Sequence, residues 1–193
     1  DDDNIFHSYI SFADSDSANF LLTVDPGDPY GYSKIKNGLL HLKSWRDAGD
    51  NYGDYSRAFC KLPLSRSYMV TFRANKLYHN GWFHIDVFQD YNINDLFYSI
   101  FSEADIVKSI KKFDDGWTVL QGNVKTIGNN RWQCYKFLKQ GNRLKLYIGD
   151  SFDSLEKVLD VVDDNDLLGG YLGFKVKQAG SEVYIDDLNI YSI

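Results

Sequence analysis

Glutamate is nearly missing from this chain: only Glu103, Glu156 and Glu182 occur among 27 acidic residues. Long helices draw on Glu as a common former, so few are expected. Proline is also scarce, at three residues, with one methionine and two cysteines. Cys60 and Cys134 permit at most one disulfide; both fall in apparent strands, where a buried unbonded pair is an equal alternative. No apolar run approaches the roughly 18 residues that span a bilayer as a helix. CxxC, HExxH, GxSxG and phosphate-loop patterns are all missing, so zinc, serine-hydrolase and nucleotide chemistry lack support. His7, His41 and His79 show no metal-ligand spacing. The net charge of -6 argues against nucleic acid as a partner, which normally demands a basic face.

What the chain does contain points to strands and turns. All the other acids are aspartates, residues that bond nearby backbone amides in turns and that serve as hard oxygen ligands for calcium. Aromatic residues make up 16% of the sequence, and such rings fit a pleated, half-buried surface. With 193 residues and 44% hydrophobic composition, one domain spanning 1–193 is expected. The opening DDDNIF, without Met, fits either a removed leader or a cut chain.

Period-two alternation predicts strands over 20–24, 38–44, 55–62, 67–75, 82–89, 96–101, 117–121, 131–138, 143–148, 157–161, 171–176 and 183–191. Turn chemistry separates them: DPGDPYG, KNG, DAGDNYGD, YHNG, DDG, IGNN, KQGN, GDSFDS, DDNDLLGG and QAGS. Only EADIVKSIKK, residues 103–112, reads as one or two helical turns. The fold class is therefore all-β, an antiparallel sandwich.

Residues two apart on a strand share a face. Phe83, Ile85 and Val87 oppose Trp82, His84, Asp86 and Phe88. Val70 and Phe72 oppose Met69, Thr71 and Arg73. Leu144, Leu146 and Ile148 oppose Arg143, Lys145 and Tyr147, while Ala58, Cys60 and Leu62 oppose Arg57, Phe59 and Lys61. Several strands thus carry one apolar face and one that mixes aromatics with Arg, Lys and His, as for a half-core, half-solvent platform.

The closing GYLGFKV, a short turn and VYIDDLNIY resemble the terminal hairpin of laminin-G-like and concanavalin A-like jelly rolls. FLLTV, NGLLHLKS, SYMVTFRA and FHIDVFQD follow the same order of elements over nearly the whole chain, though no single motif among them is specific. The resemblance implies two curved antiparallel sheets, glycan binding on a sheet face or rim loop, and often one structural calcium. The same scaffold also carries polysaccharide lyases and glycoside hydrolases, so fold does not choose among them. Hydrolases of this kind resemble one another through a Glu-x-Asp-x-x-Glu strand, which this chain does not have. Arg73, His84, Arg143, Lys145 and Tyr147 suit lyase chemistry, but the lyase signature motifs are missing.

Glycan binding asks only for a ring to stack on a sugar, with polar groups beside it. Trp82, His84 and Asp86 supply these on one strand; Trp45 and Tyr52 add a rim contact from a loop, and Trp117 and Trp132 are expected in the core or a hinge. Arg57, Arg73, Arg143 and Lys145, with Tyr147, favour an anionic glycan despite the acidic total, because binding responds to local potential. For calcium the candidates are Asp14 and Asp16, the run Asp163 to Asp166, and Asp186 and Asp187. Asp186 shares phase with Tyr184, Leu188 and Ile190; a charge pointing coreward needs a cation, a donor or a bulge. The expectation is a non-catalytic carbohydrate-binding module, secreted or at a cell surface. A self-associating structural subunit and a lyase for acidic polysaccharides are the alternatives.

Overall fold

The computed structural model describes residues 7–24, 28, 30–44, 55–77, 81–89, 96–103, 106–113, 116–126, 128–167, 170–178 and 180–193. The strands are β1 (His7–Ile10), β2 (Phe20–Val24), β3 (Tyr32–Lys36), β4 (Leu39–Ser44), β5 (Tyr55–Leu64), β6 (Tyr68–Lys76), β7 (Trp82–Phe88) and β8 (Phe97–Glu103). They continue as β9 (Ile106–Phe113), β10 (Trp117–Thr126), β11 (Trp132–Gln140), β12 (Arg143–Gly149), β13 (Glu156–Val162), β14 (Gly170–Lys177) and β15 (Ser181–Ser192). Sheet A runs β13-β12-β11-β6-β15-β4-β3, with β1 beside the second half of β15. Sheet B runs β10-β9-β8-β7-β14-β5-β2, and every pairing in both sheets is antiparallel.

Alternation decides which side chains meet between the sheets. Sheet A sends in Leu40, Leu42, Val70, Phe72, Tyr135, Phe137, Leu144, Leu146, Val183 and Ile185; sheet B answers with Ala58, Cys60, Phe83, Ile85, Val87, Ile100, Phe174 and Val176. The Phe72 and Phe174 rings join the layers edge-on at 4.9 Å. Burying such apolar area, at about 25 cal/mol per Å², is the main force holding the sheets together. No helix among the described residues is long and apolar enough to cross a membrane.

The structure corrects several sequence expectations. The EADIVKSIKK stretch is not helical: it ends β8 and forms β9, paired with β8 and β10. Val107 and Ile110 both face the core although three residues apart. A register shift between Phe101 and Ser102, which skips a residue of β9, makes that possible. Strands β1 and β3 are additions to the alternation reading. Cys60 and Cys134 are free thiols, and burial pushes Cys60 up to about 11.

The last strand bulges at its paired acid. The pairing of β15 with β6 slips between Asp186 and Asn189, and Asp187 has φ 51°. Ile185 and Leu188, three apart, therefore both reach the core, and Asp186 turns outward with Tyr184 instead of sharing the phase of Leu188.

Candidate functional site

The outer face of sheet B is built from cross-strand rows. Lys177 pairs Trp82, which pairs Glu103. Arg57 pairs Lys175, then His84, then Phe101. The next row holds Phe59, Gly173, Asp86, Ser99 and Lys111. Beyond it, Tyr171, Phe88, Phe97, Phe113 and Trp117 form an aromatic end. The start of β7 is pinned by Trp82 N–H donating to Ser181 Oγ at 3.0 Å. Gly81 is needed for that approach, since a Cβ there would lie 1.8 Å from the same oxygen.

The centre of this face is buried and polar. Ser99 Oγ donates to Asp86 Oδ1 at 2.6 Å and lies 3.0 Å from His84 Nδ1. The Lys175 ammonium stands 3.2 Å from Asp86 Oδ2, with Asp86 wholly buried. Burial, reinforced by Lys175, pushes the His84 pKa down to about 3, so its ring is neutral at pH 7. Burial also works to raise Asp86, but Lys175 and the Ser99 hydrogen bond outweigh it and the carboxyl is held below its ordinary value.

Among the described residues, five buried polar atoms on this face lack a hydrogen bond: Thr23 Oγ1, Asp86 Oδ2, which has only the Lys175 ion pair, and three that belong to the ring cluster. Those three, Trp82 Nε1, His84 Nε2 and Arg57 Nε, are buried and make no hydrogen bond. A buried group left unmatched costs about 1–3 kcal/mol, so three in one cluster call for something to complete them. Aromatic rings lie alongside: Trp82 meets Phe101 edge-on at 5.0 Å, and the Lys111 ammonium lies 5.7 Å from the Phe101 ring and 5.8 Å from Trp117. Trp117 and Trp132, expected in the core or a hinge, are both exposed, Trp117 by 54%, so neither is a core residue.

The structure divides the sequence candidates between two faces. Trp82, His84 and Asp86 stand together on sheet B. Arg73, Arg143, Lys145 and Tyr147 lie on β6 and β12 of sheet A, facing away from the core, so they and His84 form no single constellation. Arg143 is held by Asp160 through two bonds of 2.7 and 2.9 Å, which raises the arginine and lowers the acid. Trp45 and Tyr52 lie outside the described residues. Lys111, Lys175, Lys177, Ser99 and Phe101 come to the site only through strand pairing; their alternation on β8, β9 and β14 was the one signal available.

The acid pairs do not fit calcium. Asp186 Oδ2 lies 2.6 Å from Arg73 Nη2, and Asp187 Oδ2 lies 2.7 Å from Arg73 Nε, so a guanidinium holds the place a cation would take. Asp163 and Asp166 meet the ammoniums of Lys112 and Lys139 at 3.0 and 2.9 Å. Asp16 caps its own 3₁₀ turn, accepting from Ala13 N at 3.1 Å, and Asp14 stands beside it in that turn. Among the described residues, no three His, Cys, Asp or Glu side chains gather as metal ligands.

No protein-family model matches the chain, and no curated protein sequence does. Solved structures do. A Bacillus subtilis protein of unknown function with a galectin-like fold superposes with TM-score 0.70 at 12% identity, covering 96% of this chain and 94% of that one. A carbohydrate-binding module, also from Bacillus subtilis, gives 0.61 at 17% identity over 86% and 92%. A non-specific endo-β-1,3(4)-glucanase gives 0.67 at 13% identity over 98% and 92%. The chain thus has a jelly-roll fold similar to the galectin-like one, and at these identities the likeness is one of fold alone.

Proposed function

We propose that the chain is a non-catalytic carbohydrate-binding module, acting outside the cytoplasm, that takes an anionic glycan on the outer face of sheet B. The observation that carries this reading is the cluster of buried, unmatched polar atoms on Arg57, His84 and Trp82. They lie among rings able to stack on a sugar. Two donors and one neutral ring suit hydroxyl groups, which both give and accept. Arg57, Lys111, Lys175 and Lys177 outnumber Asp86 and Glu103 around the site, giving a locally positive potential in an acidic chain. Structural neighbours named as a carbohydrate-binding module and a glucanase support the sugar class.

Affinity electrophoresis through gels of polygalacturonate, alginate and hyaluronate, beside neutral dextran and β-glucan, tests this. Retardation by an acidic polysaccharide, weakened by added salt and by Arg57→Ala, is expected. Equal mobility in every gel sinks the reading.

Self-association has one observation in its favour. Trp117 and Val119, 54% and 57% exposed, lie on β10, the edge strand of sheet B, and exposed apolar side chains on an edge strand favour association with another copy. Light scattering at rising concentration that reports only monomer removes this second reading.

A further inference from the structure

The character of His84 follows from its two neighbours. Asp86 is ionised and therefore only accepts. Ser99 has one hydroxyl proton, and its Oγ lies 2.6 Å from Asp86 Oδ1 and 3.0 Å from His84 Nδ1. With that proton directed at the carboxylate, Ser99 has only lone pairs left for the ring. Nδ1 must then carry the hydrogen, and in a neutral imidazole the other nitrogen is bare. That nitrogen, Nε2, is buried and meets no partner. The opposite tautomer would bury an unmatched N–H instead, and would leave Nδ1 and Asp86 competing for one proton.

We infer that Asp86 and Ser99 are positioning residues that lock His84 in its Nδ1–H form, making Nε2 a dedicated acceptor for a ligand hydroxyl or amide N–H. This rests on the carbohydrate reading of the face and adds a rule of specificity to it. A glycan carboxylate or sulfate is excluded from Nε2, because two acceptors repel; it belongs beside the donors Arg57 Nε and Trp82 Nε1. The charged groups facing the ring are Lys175 and Lys177 from β14, Arg57 from β5 and Asp86 from its own strand. From β8 come Ser99 and Phe101. Burial, reinforced by the three cations, opposes a second proton on the ring, so the acceptor persists into mild acid.

Long-range proton–nitrogen correlation spectra of the full ¹⁵N-labelled chain read the tautomer directly. The expected result is a pyridine-like Nε2 and a pyrrole-like Nδ1 on His84, unchanged from about pH 8 to about pH 5. A protonated Nε2, or a midpoint near the ordinary value of about 6.5, overturns the lock. The ligand half uses oligosaccharides cut from whichever of polygalacturonate, alginate or hyaluronate is retained, each O-methylated at one hydroxyl. Methylation at one position should weaken binding about tenfold or more, and His84→Ala should abolish that discrimination. Equal tolerance of methylation everywhere overturns the acceptor role. If no polysaccharide is retained, the carbohydrate reading and the ligand half fall together, while the spectra still decide the tautomer.

Discussion

The two outer faces of the sandwich carry similar residue types and treat them oppositely. On sheet A, charges are answered within the chain: Arg73 by Asp186 and Asp187, Arg143 by Asp160, and Glu182 by Lys43 at 3.3 Å, with the His41 ring 2.6 Å from the same carboxylate. On sheet B the one wholly buried acid, Asp86, has a lysine and a serine, yet Arg57, His84 and Trp82 keep polar atoms unmatched. Among the described residues, sheet A keeps fewer unmatched atoms, Asn75 Oδ1 and an Arg73 Nε that faces Asp187 as an ion pair without a well-aligned hydrogen bond, and a largely self-satisfied face is built for stability and solubility. An unsatisfied, buried one has given up stability that a partner can return. The two faces should therefore respond differently to substitution, acid, ligand and metal.

The largest difference is expected in stability. Asp86→Asn leaves the Lys175 ammonium without its carboxylate in a buried setting and should lower unfolding free energy by about 3–5 kcal/mol in urea titrations. Asp186→Asn on sheet A leaves Arg73 with Asp187, its side chain 39% exposed, and after solvent screening should lose about 1 kcal/mol or less. Equal losses would break the comparison.

Acid should expose the same asymmetry. The folded His84 pKa, near 3, lies below the unfolded value of about 6.5, so the unfolded chain takes up the proton first. Stability from keeping this ring neutral is complete above about pH 6.5 and declines toward pH 3, by up to about 1.4 kcal/mol per pH unit. Asp86 is lowered too; its contribution is present above its unfolded value and vanishes as pH falls through the folded one. His41 on sheet A is also lowered, burial outweighing the pull of Glu182. Denaturation midpoints across this range should flatten more for His84→Gln than for His41→Gln, and the reverse order would contradict the burial contrast.

Alternation made the strands legible where the sheet is regular. The phases of Phe83, Ile85 and Val87, of Val70 and Phe72, and of Leu144, Leu146 and Ile148 all match the buried sides. Legibility failed at bulges. Ile185 and Leu188 across the Asp186–Asp187 bulge, like Val107 and Ile110 on β9, stand three apart and both face inward. Spacing of three is the helical signature, hence the misread EADIVKSIKK, and a one-residue slip turned Asp186 coreward on paper. Trp82, His84 and Asp86 were visible as one strand face. Lys175 and Ser99 were not, because pairing across strands is a long-range fact that a local period does not encode.

Ligand binding should separate the faces more modestly. Arg57→Ala removes a charged donor from sheet B and should weaken binding to the retained acidic polysaccharide by roughly tenfold to hundredfold, the worth of a charge-assisted hydrogen bond of about 1.5–3 kcal/mol. Lys145→Ala on sheet A should leave the gel retardation unchanged. Comparable losses at both positions would mean that sheet A shares in binding, and the division of faces would fail.

The smallest expected effect concerns calcium. The acid pairs that invite an ion already hold one, covalently attached: Arg73 between Asp186 and Asp187, and Lys112 and Lys139 against Asp163 and Asp166. A calcium ion at a hundredfold over its dissociation constant would add about 2.7 kcal/mol and raise the melting temperature by several degrees. Neither calcium nor EDTA should move the parent protein by as much as one degree. Arg73→Ala sharpens the point, because it leaves two adjacent carboxylates on the β15 bulge with no cation between them. Calcium should stabilise that variant and not the parent. A calcium-dependent rise in the parent itself would show that the guanidinium gives way to the ion, and that sheet A is not closed after all.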